Sequence, residues 1–189
     1  REAQLCGGAT VLVVGGGNSA GQAAMFLSEH AQKVLLLIRG EALAKSMSDY
    51  LARRVLAKDN IELLTQTEVR RMLGGKTLAA AELENISTHQ RRTVETPALF
   101  SMIGAKPCTD WLPPEIECDA KGFIKTGSAV AGAPAWQGLG RLPGPLETSR
   151  PGIFAAGDVC SGSVKRCAAA VGEGGAAVAW LHEVLGSYA

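Results

Sequence analysis

The residues with the clearest chemical potential lie in Thr10-Val-Leu-Val-Val-Gly-Gly-Gly-Asn-Ser-Ala-Gly-Gln-Ala-Ala24, where three glycines separate an apolar run from small residues at helical spacing. Gly15, Gly17 and Ala20 spell G-x-G-x-x-A in the strand–turn–helix context that gives this pattern meaning. Gly15 permits the sharp turn, Gly17 lets backbone approach a pyrophosphate, and Ala20 is small enough for helix and strand to lie close. The N–H groups around Asn18 and Ser19 then face an anion at the positive end of a helix dipole. The stretch reads as a dinucleotide site. Gly17-Asn-Ser-Ala-Gly21 also spells G-x-S-x-G, the nucleophile elbow of α/β-hydrolases, and Asp158 and His182 follow in the order Ser, Asp, His. That elbow needs strands and an oxyanion loop upstream, which makes the hydrolase the lesser alternative. A glycine turn that holds no ligand is the third.

The residue closing the second strand selects the cofactor. An acid there binds the ribose 2′-hydroxyl of NAD, and an Arg suits a 2′-phosphate. Val34 to Ile38 forms that strand, and Arg39 follows it, with Gly40 next and Lys45 near by. The guanidinium fork can hold a phosphate at two oxygens. NADP(H) is therefore expected over NAD(H), with an ordinary solvated strand-end charge as the alternative.

These groups need a scaffold. Val11 to Val14, Val34 to Ile38 and Ile61 to Thr65 read as buried parallel strands, joined by a helix from Asn18 and another starting at Ser46-Met-Ser-Asp49 and ending at Asn60. Met47, Leu51 and Val55 would share the inner face of that second helix. Thr67 to Met72, Leu78 to Glu84 and Arg92 to Thr96 are short runs between turn signals and read as a small antiparallel insert. Leu99 to Ile103 returns to a buried strand. Past Gly104 the texture changes: a short strand over 122–126, a Gly- and Pro-rich loop over 127–151 with Trp136 and Leu139 as anchors, a short strand over 153–156, and a small-residue helix over 164–185.

Composition excludes more than it assigns. The 189 residues are 47% hydrophobic and 20% charged with net charge +1, which gives no signal for nucleic acid or an anionic membrane. No run is long and apolar enough to span a bilayer. Five cysteines form no C-x-x-C, so neither a zinc site nor a dithiol of that spacing is expected, and a reduced cytoplasmic setting is the default. His30, His89 and His182 stand alone. Arg1 to Gly8 reads as the end of a preceding element, as in a piece of a longer protein.

A second informative stretch is Thr148-Ser-Arg-Pro-Gly-Ile-Phe-Ala-Ala-Gly-Asp-Val159. Together, GGGNSA, the following Ile38-Arg-Gly40, Ile103-Gly-Ala-Lys-Pro107 and this stretch resemble the thioredoxin-reductase-like flavoproteins of the pyridine nucleotide-disulphide oxidoreductase family. The resemblance implies an α/β fold: a Rossmann-like parallel sheet with an antiparallel insert over 1–104 binding NAD(P)H, then the C-terminal part of an FAD-binding Rossmann-type domain over 105–189. It implies that Gly15, Gly17, Asn18, Ser19 and Ala20 hold the NADP(H) pyrophosphate and Arg39 the 2′-phosphate, with Gly104 in the same site. It implies that Gly157, Asp158 and Val159 hold the flavin ribitol and pyrophosphate, with Lys165, Arg166, Cys167 and Ala168 near the isoalloxazine. NADP(H) and FAD are the expected cofactors, and hydride transfer from one to the other the expected reaction.

Two departures qualify this. The first FAD motif and the redox dithiol of thioredoxin reductases are not in the chain, so an N-terminal FAD-binding half is an expected partner, and the segment after Gly104 should be unstable or reshaped. The family's motif after the second strand also usually carries more basic residues than the single Arg39, which implies weaker selectivity for the 2′-phosphate. Thioredoxin is the acceptor the wider family implies, but Arg39-Gly40, Ser46-Met-Ser48, Thr109-Asp-Trp-Leu112 and Ser161-Gly-Ser-Val-Lys-Arg166 look like a reductase-like branch that often lacks the dithiol, whose acceptor would be something other than thioredoxin, such as ferredoxin, another flavin partner or a quinone. A homodimer is compatible with the family. No general acid or base stands out, and Cys160 and Cys167 read as packing residues. A non-catalytic NADPH-binding regulatory module is the competing function.

Overall fold

A computed structural model of the chain describes residues 6–43 and 46–186. The part of Arg1 to Gly8 that precedes Cys6, and Lys45, lie outside the described residues. The chain divides into two compact units, Arg1–Gly104 and Ala105–Ala189.

The first unit is built on a parallel sheet of β1 (Thr10–Val14), β2 (Lys33–Leu37), β3 (Ile61–Leu64) and β7 (Leu99–Ser101), in the order β3-β2-β1-β7. Its strands are mostly apolar, with Lys33, Glu62 and Ser101 among the exceptions, because the middle of the sheet is covered on both faces. Alternate residues go to opposite sides. Val11, Val13, Val34 and Leu36 pack under α1 (Asn18–Ser28) and α2 (Asp49–Leu56), against Ala20, Ala24, Leu27 and Val55. Leu12, Leu35 and Leu37 face the other way and pack on Ala81 and Leu83. Those two belong to the insert, an antiparallel sheet of β4 (Thr67–Gly74), β5 (Leu78–Asn85) and β6 (Arg91–Glu95).

Met47, Leu51 and Val55 are buried as expected, although the helix begins at Asp49, after Met47, and stops at Leu56, short of Asn60. The side-chain amide of Asn60 instead donates to the carbonyls of Ser28 and Ala31, tying the end of α1 to the start of β3. In the insert, Glu84 is buried with Arg70 and Arg91 against its carboxylate. Burial works against its charge, but the hydrogen bonds from Arg70, Arg91 and His89 outweigh that and hold its pKa below the ordinary value.

The second unit carries little regular structure before α3 (Cys167–Gly186). The strands expected over 122–126 and 153–156 do not form. Ile124 makes single bridges to Cys118 and Cys160, and Phe154 one to Glu147. An extended run becomes a strand only beside a partner long enough to complete a ladder; here each neighbour turns away after one residue. A small core of Ile116, Ile124, Ala155 and Cys160 holds this part together. The Gly- and Pro-rich segment is ordered by two 3₁₀ turns, Gly127–Val130 and Pro134–Trp136. Trp136 is buried and its indole N–H donates to Thr148 O at 3.0 Å, whereas Leu139, the other expected anchor, is exposed.

Helix α3 starts at Cys167, three residues later than expected. None of its residues is buried, and Val171, Val178 and Leu185 are more than half exposed. No helix among the described residues is long and apolar enough to cross a membrane.

Candidate functional site

At the carboxyl ends of β1, β2 and β7, a cleft of ≈ 1130 Å³ runs from the glycine turn to Gly104, with Thr67 to Met72 of β4 along one side. The carboxyl edge of a parallel sheet, where neighbouring crossovers diverge, is where open α/β folds bind ligands. Gly15 turns the chain out of the sheet. Its N–H still donates to Leu37 O at 3.0 Å, closing the β1–β2 ladder, and its φ is +141°. A Cβ here would sit 2.5 Å from the carbonyl oxygen of Met102, so only glycine fits.

Gly17 caps α1 in extended backbone and offers no side chain to the first turn. The leading N–H groups of the helix therefore lack an internal partner and are available to an anion. Asn18 has a structural task as well: its Oδ1 accepts the N–H of Ser48 at 2.8 Å, at the start of α2. Ser46 Oγ donates to Gly16 O at 2.9 Å from the same segment. Ser19 is exposed in the first turn, and Ala20 is fully buried against the sheet. Gly21, read in the sequence only as part of G-x-S-x-G, is a close-approach residue: a Cβ there would meet Met47 Cε at 2.7 Å and Leu51 Cδ2 at 2.8 Å.

The hydrolase alternative loses its geometry. A nucleophile elbow holds its serine on a strained turn. Ser19 lies within regular helix, and among the described residues the positive-φ ones other than glycine are Gln66 and His89.

Arg39 stands two residues past the end of β2, is exposed, and lines the cleft. Gly104 lines its far end with φ +85° and open space where a Cβ would lie. The sequence reading passed over β4, which adds Glu68, Arg70 and Arg71 to the lining. Their signal was two adjacent arginines in a strand otherwise expected to be structural.

The remaining candidates belong to the second unit. Gly157 opens a 3₁₀ turn, Gly157–Val159, with φ +81°, and its N–H donates to Glu173 Oε2 at 2.6 Å. Asp158 is exposed, and its carbonyl accepts from Lys165 Nζ at 2.6 Å. Lys165 also lies 4.0 Å over the ring of Phe123. Arg166 donates to Lys165 O, and Ala168 is exposed in the first turn of α3. Cys167 is exposed as well, contrary to the packing role expected of it: it opens α3, a helix with no buried residue among those described. Cys160 is buried in the small core, and burial, with the Glu173 charge added, pushes its thiol up to about 11. Among the described residues no group of His, Cys, Asp and Glu could hold a metal ion.

Known proteins agree with this architecture. The profile of the pyridine nucleotide-disulphide oxidoreductase family matches residues 2–174. A thioredoxin reductase of Yarrowia lipolytica is 32% identical over 163 residues, covering 86% of this chain and 46% of its own length. The solved thioredoxin reductase of Streptococcus pyogenes aligns over 98% of this chain and 55% of its own, with 28% identity and a TM-score of 0.66. That of T. acidophilum covers all of this chain and 56% of its own, with 26% identity and a TM-score of 0.72. The chain thus spans about half the length of the curated relatives it matches. It belongs to the pyridine nucleotide-disulphide oxidoreductases, a family of FAD- and NAD(P)H-dependent enzymes, among their thioredoxin-reductase-like members.

Proposed function

We propose that residues 1–104 form the NADP(H)-binding domain, and residues 105–189 the carboxyl-terminal part of the FAD-binding domain, of a thioredoxin-reductase-like flavoenzyme. In this reading hydride passes from NADPH to FAD and onward to a disulphide or another acceptor. Thioredoxin is the acceptor named by the relatives' titles, and a cytoplasmic setting suits that role. One observation carries the reading: the uncapped start of α1 and the guanidinium of Arg39 open onto the same cleft. A pyrophosphate accepts from the helix N–H groups, and a 2′-phosphate pairs with the arginine.

The two cofactors supply the redox chemistry when bound, and the protein's contribution is to bind and orient them. Gly15 and Gly17 keep side chains out of the pyrophosphate's path, and Arg39 discriminates NADPH from NADH. In the second unit, Gly157 to Val159 and the start of α3 would face the flavin, with the rest of the flavin site supplied by protein outside these residues.

The test is calorimetric titration of the chain with NADPH and NADH, alongside its visible absorption spectrum. Arg39→Ala should weaken NADPH by roughly tenfold to a hundredfold, the range of one charge-assisted contact, and leave NADH within about twofold. Equal losses for both cofactors would remove the 2′-phosphate assignment. Tight NADPH binding by a chain that stays redox-silent with its flavin partner supplied would favour the regulatory module.

A further inference from the structure

The charges along the cleft are not evenly committed. Among the described residues, four charged ones line it: Arg39, Glu68, Arg70 and Arg71. Arg70 is neutralised, with Nη1 3.0 Å from Glu68 and Nη2 3.2 Å from Glu84. The same contact occupies Glu68, the one acid of the lining among the described residues. Glu82, which faces Arg71 in the strand register, is held by Arg91 at 3.2 Å. Among the described residues, Arg39 and Arg71 are left with no carboxylate and no side-chain hydrogen bond.

A backbone irregularity produces this division. Val69 pairs with Leu83 and Arg71 with Glu82, so two steps on β4 match one on β5, and Arg70 is the extra residue. In a regular ladder Arg71 would share the face of Val69, which packs into the core with Leu12, Leu35 and Leu37. The bulge keeps Val69 in that core and takes Arg71 off its face, leaving an exposed guanidinium on an edge strand beside the cleft.

We propose that Arg71 is a second specificity-determining residue of this cleft, holding the cofactor's 2′-phosphate together with Arg39. The inference rests on the NADP(H) reading above. A phosphate monoester carries close to two negative charges at neutral pH, and two guanidinium forks satisfy it better than one. A shared pyrophosphate already has the start of α1, so the group that distinguishes NADPH from NADH is the one Arg71 serves.

The experiment titrates the wild-type chain and its Arg71→Ala, Arg71→Lys and Arg39→Ala variants with NADPH and with NADH, with thermal melts as a fold check. Arg71→Ala should weaken NADPH roughly tenfold to a hundredfold and leave NADH within about twofold. Arg71→Lys, a point charge without the fork, should recover part of the loss. Selective loss in Arg39→Ala with none in Arg71→Ala would overturn this proposal and leave the NADP(H) reading standing. Equal loss of both cofactors in Arg71→Ala would overturn it too, since Arg71 would then serve a group they share. A wild-type chain that does not distinguish NADPH from NADH would instead overturn the underlying reading. Because Arg71 is exposed and unbonded, its melting temperature should not move with substitution; a variant that fails to fold would count against the proposal by showing a structural role.

Discussion

Glu147 is the group whose removal the structure makes most consequential outside the cleft. Its carboxylate is fully buried and accepts four hydrogen bonds: from Arg141 Nη1 at 2.7 Å and Nη2 at 2.9 Å, Gly144 N–H at 2.8 Å and Gly152 N–H at 3.0 Å. Glu147→Ala strips the guanidinium and two amides of their acceptor at once. Breaking a buried pair from one side costs about 3–5 kcal/mol, and Arg141, a third exposed, can recover some water, which points to the lower end at about 3 kcal/mol. Glu147→Gln keeps a carbonyl oxygen but turns an NH₂ toward donors, for a loss of about 2 kcal/mol.

The sign of the pH effect follows from the carboxyl. Burial raises its pKa, but Arg141 and the amides of Gly144 and Gly152 overcome that and hold it below the ordinary value. Its contribution is thus fully present above the unfolded-state pKa near ~4.3 and is lost as pH falls through the lower folded value. Urea unfolding can be followed by the fluorescence of Trp136, whose ring lies 4.8 Å from the Arg141 guanidinium, in a Trp111→Phe, Trp180→Phe background. The gap between Glu and Gln at this position should be constant near neutrality and close below about pH 4. A loss under about 1 kcal/mol, or a gap that does not change with pH, would refute the reasoning.

Two further outcomes are expected. Gly15→Ala should cost about 3 kcal/mol, because both its φ and the Met102 carbonyl forbid the Cβ, whereas Gly104→Ala, with a positive φ but open space, should cost about 1 kcal/mol; equal melting shifts would show that the contact with Met102 carries no weight. With its thiol near 11, Cys160 should hold about a thousandth of its population as thiolate at pH 8, against roughly a quarter for a free thiol. Maleimide mass labelling should therefore modify Cys108 and Cys167, both exposed, long before Cys160; comparable rates would place Cys160 in a more open site.

Sequence patterns served best where one residue type answers one physical demand. The apolar runs of β1 and β2 announced buried parallel strands, and the runs parted by turn signals at Gly74-Gly75 and Asn85 announced the antiparallel insert. The three-glycine turn was equally legible because backbone geometry at Gly15 admits no other residue. What escaped depends on register and partners. The bulge at Arg70 leaves no trace in a hydrophobicity pattern, so Arg71 looked like one more strand residue. The role of Gly21 depends on how closely two helices cross, which spacing along one helix does not specify. In the second unit Ile124 and Phe154 sit in strand-like runs, but forming a strand takes a neighbour, and the sequence does not say where the neighbour turns away.

The segment that opens α2 is bonded to the glycine turn through Ser46 and Asn18, and Gly15 is pinned to β2 by its own amide. A loop shaped in advance gives up little conformational freedom when it closes on an anion. If the cleft holds NADP(H) as proposed, capture should be a single bimolecular event, its observed rate rising linearly with nucleotide concentration and showing no plateau from a slow rearrangement. Under the proposed NADP(H) role, that stiffness would let oxidised nucleotide exchange for reduced at the pace of diffusion and release.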